Sequence, residues 1–221
     1  YIADYPILGT IAQINAFALG AQMTNPRAKV YLEWSTLKEQ DIEKRIDEID
    51  PNCISGKDII VPDDNNHFYG VYHRESGEGE QKNLAMPLCH WGKFYEELIR
   101  TIMAGNWEQD NDVEKAINYW WGMPTGVVDV ICSKKLPAGT VRLVNVLKHN
   151  YKTGQFHTFT DQMYAQGHIL KEKKGETLSP EEVIEMDWLA ENIIGRIPKI
   201  EELQEQAKPV LTQQGIETRK G

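Results

Sequence analysis

The chain has 221 residues, 41% of them apolar and 26% charged, with a formal net charge of −9. That length accommodates one large α/β domain or two small lobes around a buried core. An acidic surface repels phosphate backbones, and no apolar run approaches the ~20 residues that cross a bilayer, so nucleic acid is excluded as a partner and no membrane span is expected.

The chain opens on Tyr1-Ile2-Ala3-Asp4, which reads as a strand, with no signal peptide ahead of it; the expectation is that an upstream part is absent. Ile7, Ile11, Ile14, Ala18 and Ala21 recur at helical steps, and Asn25-Pro26 stands near the end of that stripe. Val30, Leu32 and Trp34 alternate with Tyr31 and Glu33, as in a half-buried strand. Ile42, Ile46 and Ile49 stripe a second helix, which Asp50-Pro51 stops. Ile59 to Val61 and Phe68 to Tyr72 read as short strands, and the stretch from Arg74 to Lys82 reads as a surface loop. Leu84 to Leu88 is short and apolar; Phe94, Leu98 and Ile102 then mark a helix ending near Gly105.

Ala116 to Trp121 and Val127 to Cys132 read as strands, and a helix is expected between Pro137 and Gly154. Ser179-Pro180-Glu181-Glu182 is a helix start: the serine caps, the proline suits the first turn and Glu182 closes a capping box. Leu189 and Ile193 are expected to carry that helix to Gly195, and Ile200, Leu203 and Ala207 to stripe a last one. Strands alternating with helices imply an α/β fold with a mostly parallel sheet flanked by helices.

In such sheets ligands sit beyond the carboxyl ends of the strands. That rule nominates Asp4, Tyr5, Trp34, Tyr72, His73, His90, Trp91, Trp121 and Met123 as ligand-binding residues. No P-loop, G-x-S-x-G or H-E-x-x-H is present, and neither the six histidines nor Cys53, Cys89 and Cys132 have metal-ligand spacing. The chain therefore reads as a non-enzyme with no cofactor and no metal. Asp63-Asp64-Asn65-Asn66 lacks the spacing of a calcium loop and reads as a polar turn. The six tryptophans, with Tyr119-Trp120-Trp121 in a row, are either core or stacking platforms for a flat ligand. No Arg or Lys closely follows a predicted strand, so a bidentate clamp for a carboxylate or phosphate is not expected. The ligand is expected to be planar and weakly charged or uncharged.

The segment from Tyr1 to Ile7, then Asn15-Ala16-Phe17-Ala18-Leu19-Gly20-Ala21-Gln22, Asn25-Pro26 and Val30 to Thr36, resembles the entry into the second lobe of the BMP (basic membrane protein) family. These are lipoprotein solute-binding components of ABC transporters. Looser matches are Ser55 to Ile60, Phe68 to Tyr72, Leu84 to Leu98 and Gly122 to Val128; the resemblance covers about residues 1–150.

It implies a type I periplasmic-binding fold with the first lobe missing. Residues 1–83 would be the core of the second lobe, 84–115 a hinge crossing and a helix of the first-lobe type, and 116–221 the return hinge strands and carboxyl-terminal helices. It also implies an extracytoplasmic, membrane-anchored protein that closes its lobes on a small molecule and docks on a membrane permease. The family includes purine-nucleoside receptors and flavin binders. Its nucleoside sites hold ribose with an Asp where Tyr72 stands here and a Lys where Pro124 stands, which counts against an unchanged nucleoside site. The alternative is a ligand-sensing domain of a regulator or receptor with the same fold.

Overall fold

The computed structural model describes residues 1–56, 69–73, 82–105 and 122–216. The expected strands at Ile59 to Val61 and Ala116 to Trp121, and Trp121 itself, lie outside the described residues. The chain divides into two compact units, Tyr1–Leu84 with His157–Gly221, and Ala85–Phe156. Among the described residues no helix is long and apolar enough to cross a membrane.

The first unit is built on three parallel segments. β1 (Ile2–Ala3) pairs with β3 (Glu33–Trp34), and β2 (Val30–Tyr31) pairs with β10 (Ile193–Ile194), both parallel. Residues 30–35 thus run as one segment between two neighbours. Val30 N and Leu32 N donate to Asn192 O and Ile194 O on one side, and Glu33 N and Ser35 N to Tyr1 O and Ala3 O on the other.

Between β1 and β2 lies α1 (Thr10–Thr24), whose Ile11, Ile14 and Ala18 are buried against Ala3, Val30, Leu32, Trp34, Leu189 and Ile193. Two buried amides fix this helix. Asn15 donates to Trp188 O at 2.7 Å and accepts from Ala190 N at 2.8 Å, while Asn192 donates to Ala18 O at 2.8 Å. On the other sheet face α2 (Ile42–Ile49), capped by the Asp41 side chain, places Ile46 against Ile2, Ile54 and Tyr72. There β4 (Ile54–Ser55) pairs antiparallel with β5 (Val71–His73).

In the second unit Ala85–Cys89 of β6 (Lys82–Cys89) pair antiparallel with β7 (Val128–Cys132), from Ala85↔Cys132 to Cys89↔Val128. Cys89 and Cys132 are therefore four residues out of register, about 13 Å apart along the ladder, too far for a disulfide; all three cysteines are free thiols. α3 (Trp91–Met103) and α4 (Ala138–Lys152) complete the unit. Lys148 ties α4 to β7 through Asp129 at 2.6 Å, which holds that carboxyl below its ordinary range.

Three expectations are corrected. The sheet is parallel only around β1, β2, β3 and β10; the pairings β4 with β5, β6 with β7, and β8 (Thr160–Ala165) with β9 (Ile169–Thr177) are antiparallel. The last pair is a hairpin in a stretch the sequence left unassigned, turned by a short 3-10 segment at Gln166–His168.

The helix begun by the capping box, α5 (Pro180–Ile184), ends well before Gly195. Leu189, Ala190 and Ile193 run extended because Asn15 takes the Ala190 amide and the Val30 and Leu32 amides take the carbonyls of Asn192 and Ile194. The single expected last helix is two 3-10 turns, Ile200–Glu202 and Glu205–Ala207, followed by α6 (Lys208–Gln214). Gln204 N donates to Thr36 O at 2.9 Å, which interrupts the helix while Leu203, Ala207 and Leu211 still bury one face.

Candidate functional site

At the carboxyl ends of β1 and β3, Asp4 is buried and its carboxylate accepts from the Ser35 hydroxyl. The Thr36 hydroxyl donates to the Asp4 carbonyl. These bonds prolong the β1–β3 ladder past its last residue pair and fix the chain where it leaves the sheet. Tyr5, half-buried, packs on Leu203, Ala207 and Leu211. Leu8 N donates to Gln214 O and Gly9 N to Ile184 O, so the carboxyl-terminal segment roofs this end of the sheet and the amino end of α1. Trp34 is 2% exposed; its indole N–H donates to Arg196 O at 2.8 Å. It is a core ring that holds the residues after β10 in place.

Tyr72 is buried beside Ile2, Ile46 and Ile54, and the next residue, His73, is half-buried with Nδ1 2.7 Å from Asn52 O. In the second unit, exposed His90 begins α3 and its backbone N–H donates to Val127 O at 2.7 Å. That bond sets His90 and the exposed Trp91 beside the turn carrying half-buried Met123. The turn closes through Gly126 N to Met123 O at 3.0 Å, with Gly126 at φ 74° under the Lys93 side chain. The predicted residues thus fall into groups: Asp4, Tyr5 and Trp34; Tyr72 and His73; and His90, Trp91 and Met123.

Among the described residues of the first unit, two hollows bear on the site. One of about 450 Å³ sits between α1 and α2 at the amino ends of β1 and β2, lined by Tyr1, Phe17, Tyr31, Ile46, Ile49 and Asp50 among others. The other, about 270 Å³, lies beside β3 and β10 and is lined by Tyr31, Glu33, Trp34, Arg45, Ile194 and Arg196 among others. Of the nominated residues that are described, only Trp34 lines either. The larger hollow is at the end of the sheet opposite to the one where α/β proteins hold ligands.

Charge in the smaller hollow is paired. Arg45 Nη2 lies 3.2 Å from Glu33 and Nη1 2.6 Å from Glu48, and these partners raise its pKa. Arg196 grips Glu202 with both Nη atoms, and this, with the Lys199 amide, lowers the Glu202 carboxyl to about 2. Arg196 stands two residues beyond β10 and Lys134 two residues beyond β7, so the expectation that no Arg or Lys closely follows a strand is corrected. Ser35 and Thr36 were also missed as site residues, although their place directly after an alternating strand is the signal that finds them. Among the described residues no group of three His, Cys, Asp or Glu side chains could hold a metal ion.

No family model matches the chain. It is 24% identical over 210 residues to a purine-binding protein of Brucella abortus, covering 90% of this chain and 58% of that protein. It is also 29% identical over 138 residues to a Haloferax volcanii protein named for glucose binding in ABC transport, covering 58% of this chain and 34% of that protein. The chain spans little more than half the length of the first relative and about a third of the second. Both relatives are named as binding proteins rather than enzymes, and the chain is similar to solute-binding proteins at low identity.

Proposed function

We propose that this chain is the ligand-capturing part of an extracytoplasmic solute-binding protein of the BMP type, which delivers a small planar molecule to an ABC importer. The observation that carries this reading is the similarity to a purine-binding protein along 90% of the chain. The residues from Tyr1 to Thr36 that resemble the BMP second-lobe entry support it independently.

On this reading the protein has a further lobe, is anchored as a lipoprotein, and docks on a membrane permease when its lobes close. In the second unit His90 and Trp91, beside Met123, offer rings and hydrogen-bonding groups to a heterocycle, and in the first Tyr5 and His73 remain partly accessible. Asp4, Trp34 and Tyr72, all buried, act by holding the strand ends. Because Tyr72 and Pro124 stand where nucleoside receptors of the family carry their ribose ligands, a free base or another ring system is preferred to a ribonucleoside.

A sugar is the second reading, favoured by the glucose-binding relative over 138 residues. Thermal-shift measurements of the complete gene product against purine bases, nucleosides, flavins, hexoses, amino acids and organic acids separate the two. A rise in Tm with a purine or flavin is expected. A rise with hexoses alone would establish the sugar reading, and a rise with carboxylates or phosphates alone would refute both.

A further inference from the structure

The larger hollow of the first unit has the build of a small-molecule site, and ligand capture at the strand ends does not use it. Its volume, about 450 Å³, lies within the roughly 300–1,000 Å³ of small-molecule pockets. Tyr1, Phe17 of α1 and Tyr31 of β2 give it rings, and Ile46 and Ile49 of α2 give it an apolar wall. Tyr1 and Phe17 meet edge to face, with centroids 5.3 Å apart and an interplanar angle of 67°, so each ring holds the other in place. Tyr31 is 39% exposed and open to contact. Rings already fixed by packing accept a flat ligand at little ordering cost.

Charge sets the rest of the ligand. Arg27 and Lys29, on the loop from α1 to β2, line the hollow and are exposed. Among the described residues neither makes an ion pair, whereas Lys38, Arg45, Arg100, Lys148, Arg196 and Lys208 all do. In a chain of net charge −9, two uncommitted cations in one hollow are a local exception. Two carboxylates also line it. Glu33 is taken by Arg45 at 3.2 Å and by the Gln40 amide, and Asp50 stands at the carboxyl end of α2. The lining is left with a net positive charge. We infer that this hollow binds a planar aromatic carboxylate, its ring among Tyr1, Phe17 and Tyr31 and its carboxylate at Arg27 and Lys29. The site is separate from the strand ends: its walls come wholly from residues 1–54, at the amino ends of β1 and β2. It does not rest on the proposed function.

Calorimetric titration of the complete gene product with 2-naphthoate and its uncharged isostere 2-naphthamide tests this. Saturable binding of 2-naphthoate is expected, with 2-naphthamide about tenfold weaker. The double substitution Arg27→Gln with Lys29→Gln should erase that preference and leave the far-UV spectrum unchanged. Alkylation of the unsubstituted protein, read cysteine by cysteine by mass spectrometry, locates the site without any variant. Cys53 is exposed and lines the hollow, and Cys89 is an exposed reference in the second unit. Bound 2-naphthoate should slow the alkylation of Cys53 and not that of Cys89. Absence of saturable 2-naphthoate binding, a preference that survives the double substitution, or binding that leaves Cys53 unprotected would overturn the inference. Displacement of 2-naphthoate by adenine would also overturn it, because the two would then share one site. Failure of adenine to bind, with Cys53 still protected by 2-naphthoate, sinks the functional reading and leaves this inference standing.

Discussion

Helices α1 and α3 are of similar length, 15 and 13 residues, and both are rich in apolar side chains, yet α1 buries six residues and α3 buries none. The difference lies in what surrounds them. α1 is enclosed by parallel strands on one face and by residues 186–193, which Asn15 and Asn192 pin to it through the backbone. On α3 Phe94 and Leu98 are half-buried, while Trp91, Tyr95, Ile99 and Ile102 are exposed. Apolar periodicity decides that a helix forms; whether its face is covered depends on residues far away in the chain.

The largest expected effect sharpens this contrast between two tryptophans. In the 221-residue chain Trp34→Ala should cost about 3–5 kcal/mol, because it removes a fully buried ring and its bond to Arg196 O. Trp91→Ala, at a 60% exposed position, should stay within about 0.5 kcal/mol. Urea unfolding followed by circular dichroism measures both, and equal losses would break the contrast.

Asn15→Leu comes next. It keeps an apolar-sized side chain at a fully buried position but strands the Trp188 carbonyl and the Ala190 amide, for a loss of about 2–4 kcal/mol. A change within 0.5 kcal/mol would mean that the amide is not what holds residues 186–193 on α1.

Much of the first unit was legible in the sequence, because its elements are local. The stripe of Ile11, Ile14 and Ala18, the alternation of Val30, Leu32 and Trp34, the capping box at Ser179 and the stop at Asp50-Pro51 each announce one element. What failed was set by distant partners. Ile193 reads as helical by spacing and becomes a strand because the amides of residues 30 and 32 need the carbonyls of 192 and 194. The β8–β9 hairpin was hidden by the charges of residues 171–174, although Met163 and Ala165 buried around exposed Tyr164 keep the period of a strand. Asp4, Tyr5 and Trp34 lie together at the carboxyl end of the β1–β3 ladder, but burial there is a property of the roof at residues 200–214, which no local pattern in β1 or β3 encodes.

Two smaller effects probe the segment after β10, which joins sheet to roof. Gly195 has φ 152°, and a Cβ there would stand 2.8 Å from the Leu32 Cβ and 3.0 Å from its carbonyl. Gly195→Ala should therefore cost about 1–3 kcal/mol in urea unfolding; an unchanged midpoint would show that the strand pair can part without loss.

The smallest is electrostatic. The Glu202 carboxyl, ordinarily 4.5, is held at about 2 by Arg196. A depressed carboxyl contributes stability above its unfolded value, so the pairing is fully present above about pH 4.5 and is lost as pH falls through about 2. The pair is exposed and its effect on stability is correspondingly small. A carboxyl titration by NMR should place the midpoint near 2 and move it upward in Arg196→Gln; an ordinary midpoint in the unsubstituted protein would show the pair to be open in solution.

The central claim, that this polypeptide captures a small planar molecule without transforming it, is tested most directly by equilibrium dialysis of the complete gene product against labelled adenine, guanine, their nucleosides and glucose, with the ligand recovered and analysed. The account predicts saturable binding of one purine per chain, recovered chemically unchanged. Absence of saturable purine binding, or recovery of a converted product, would contradict it.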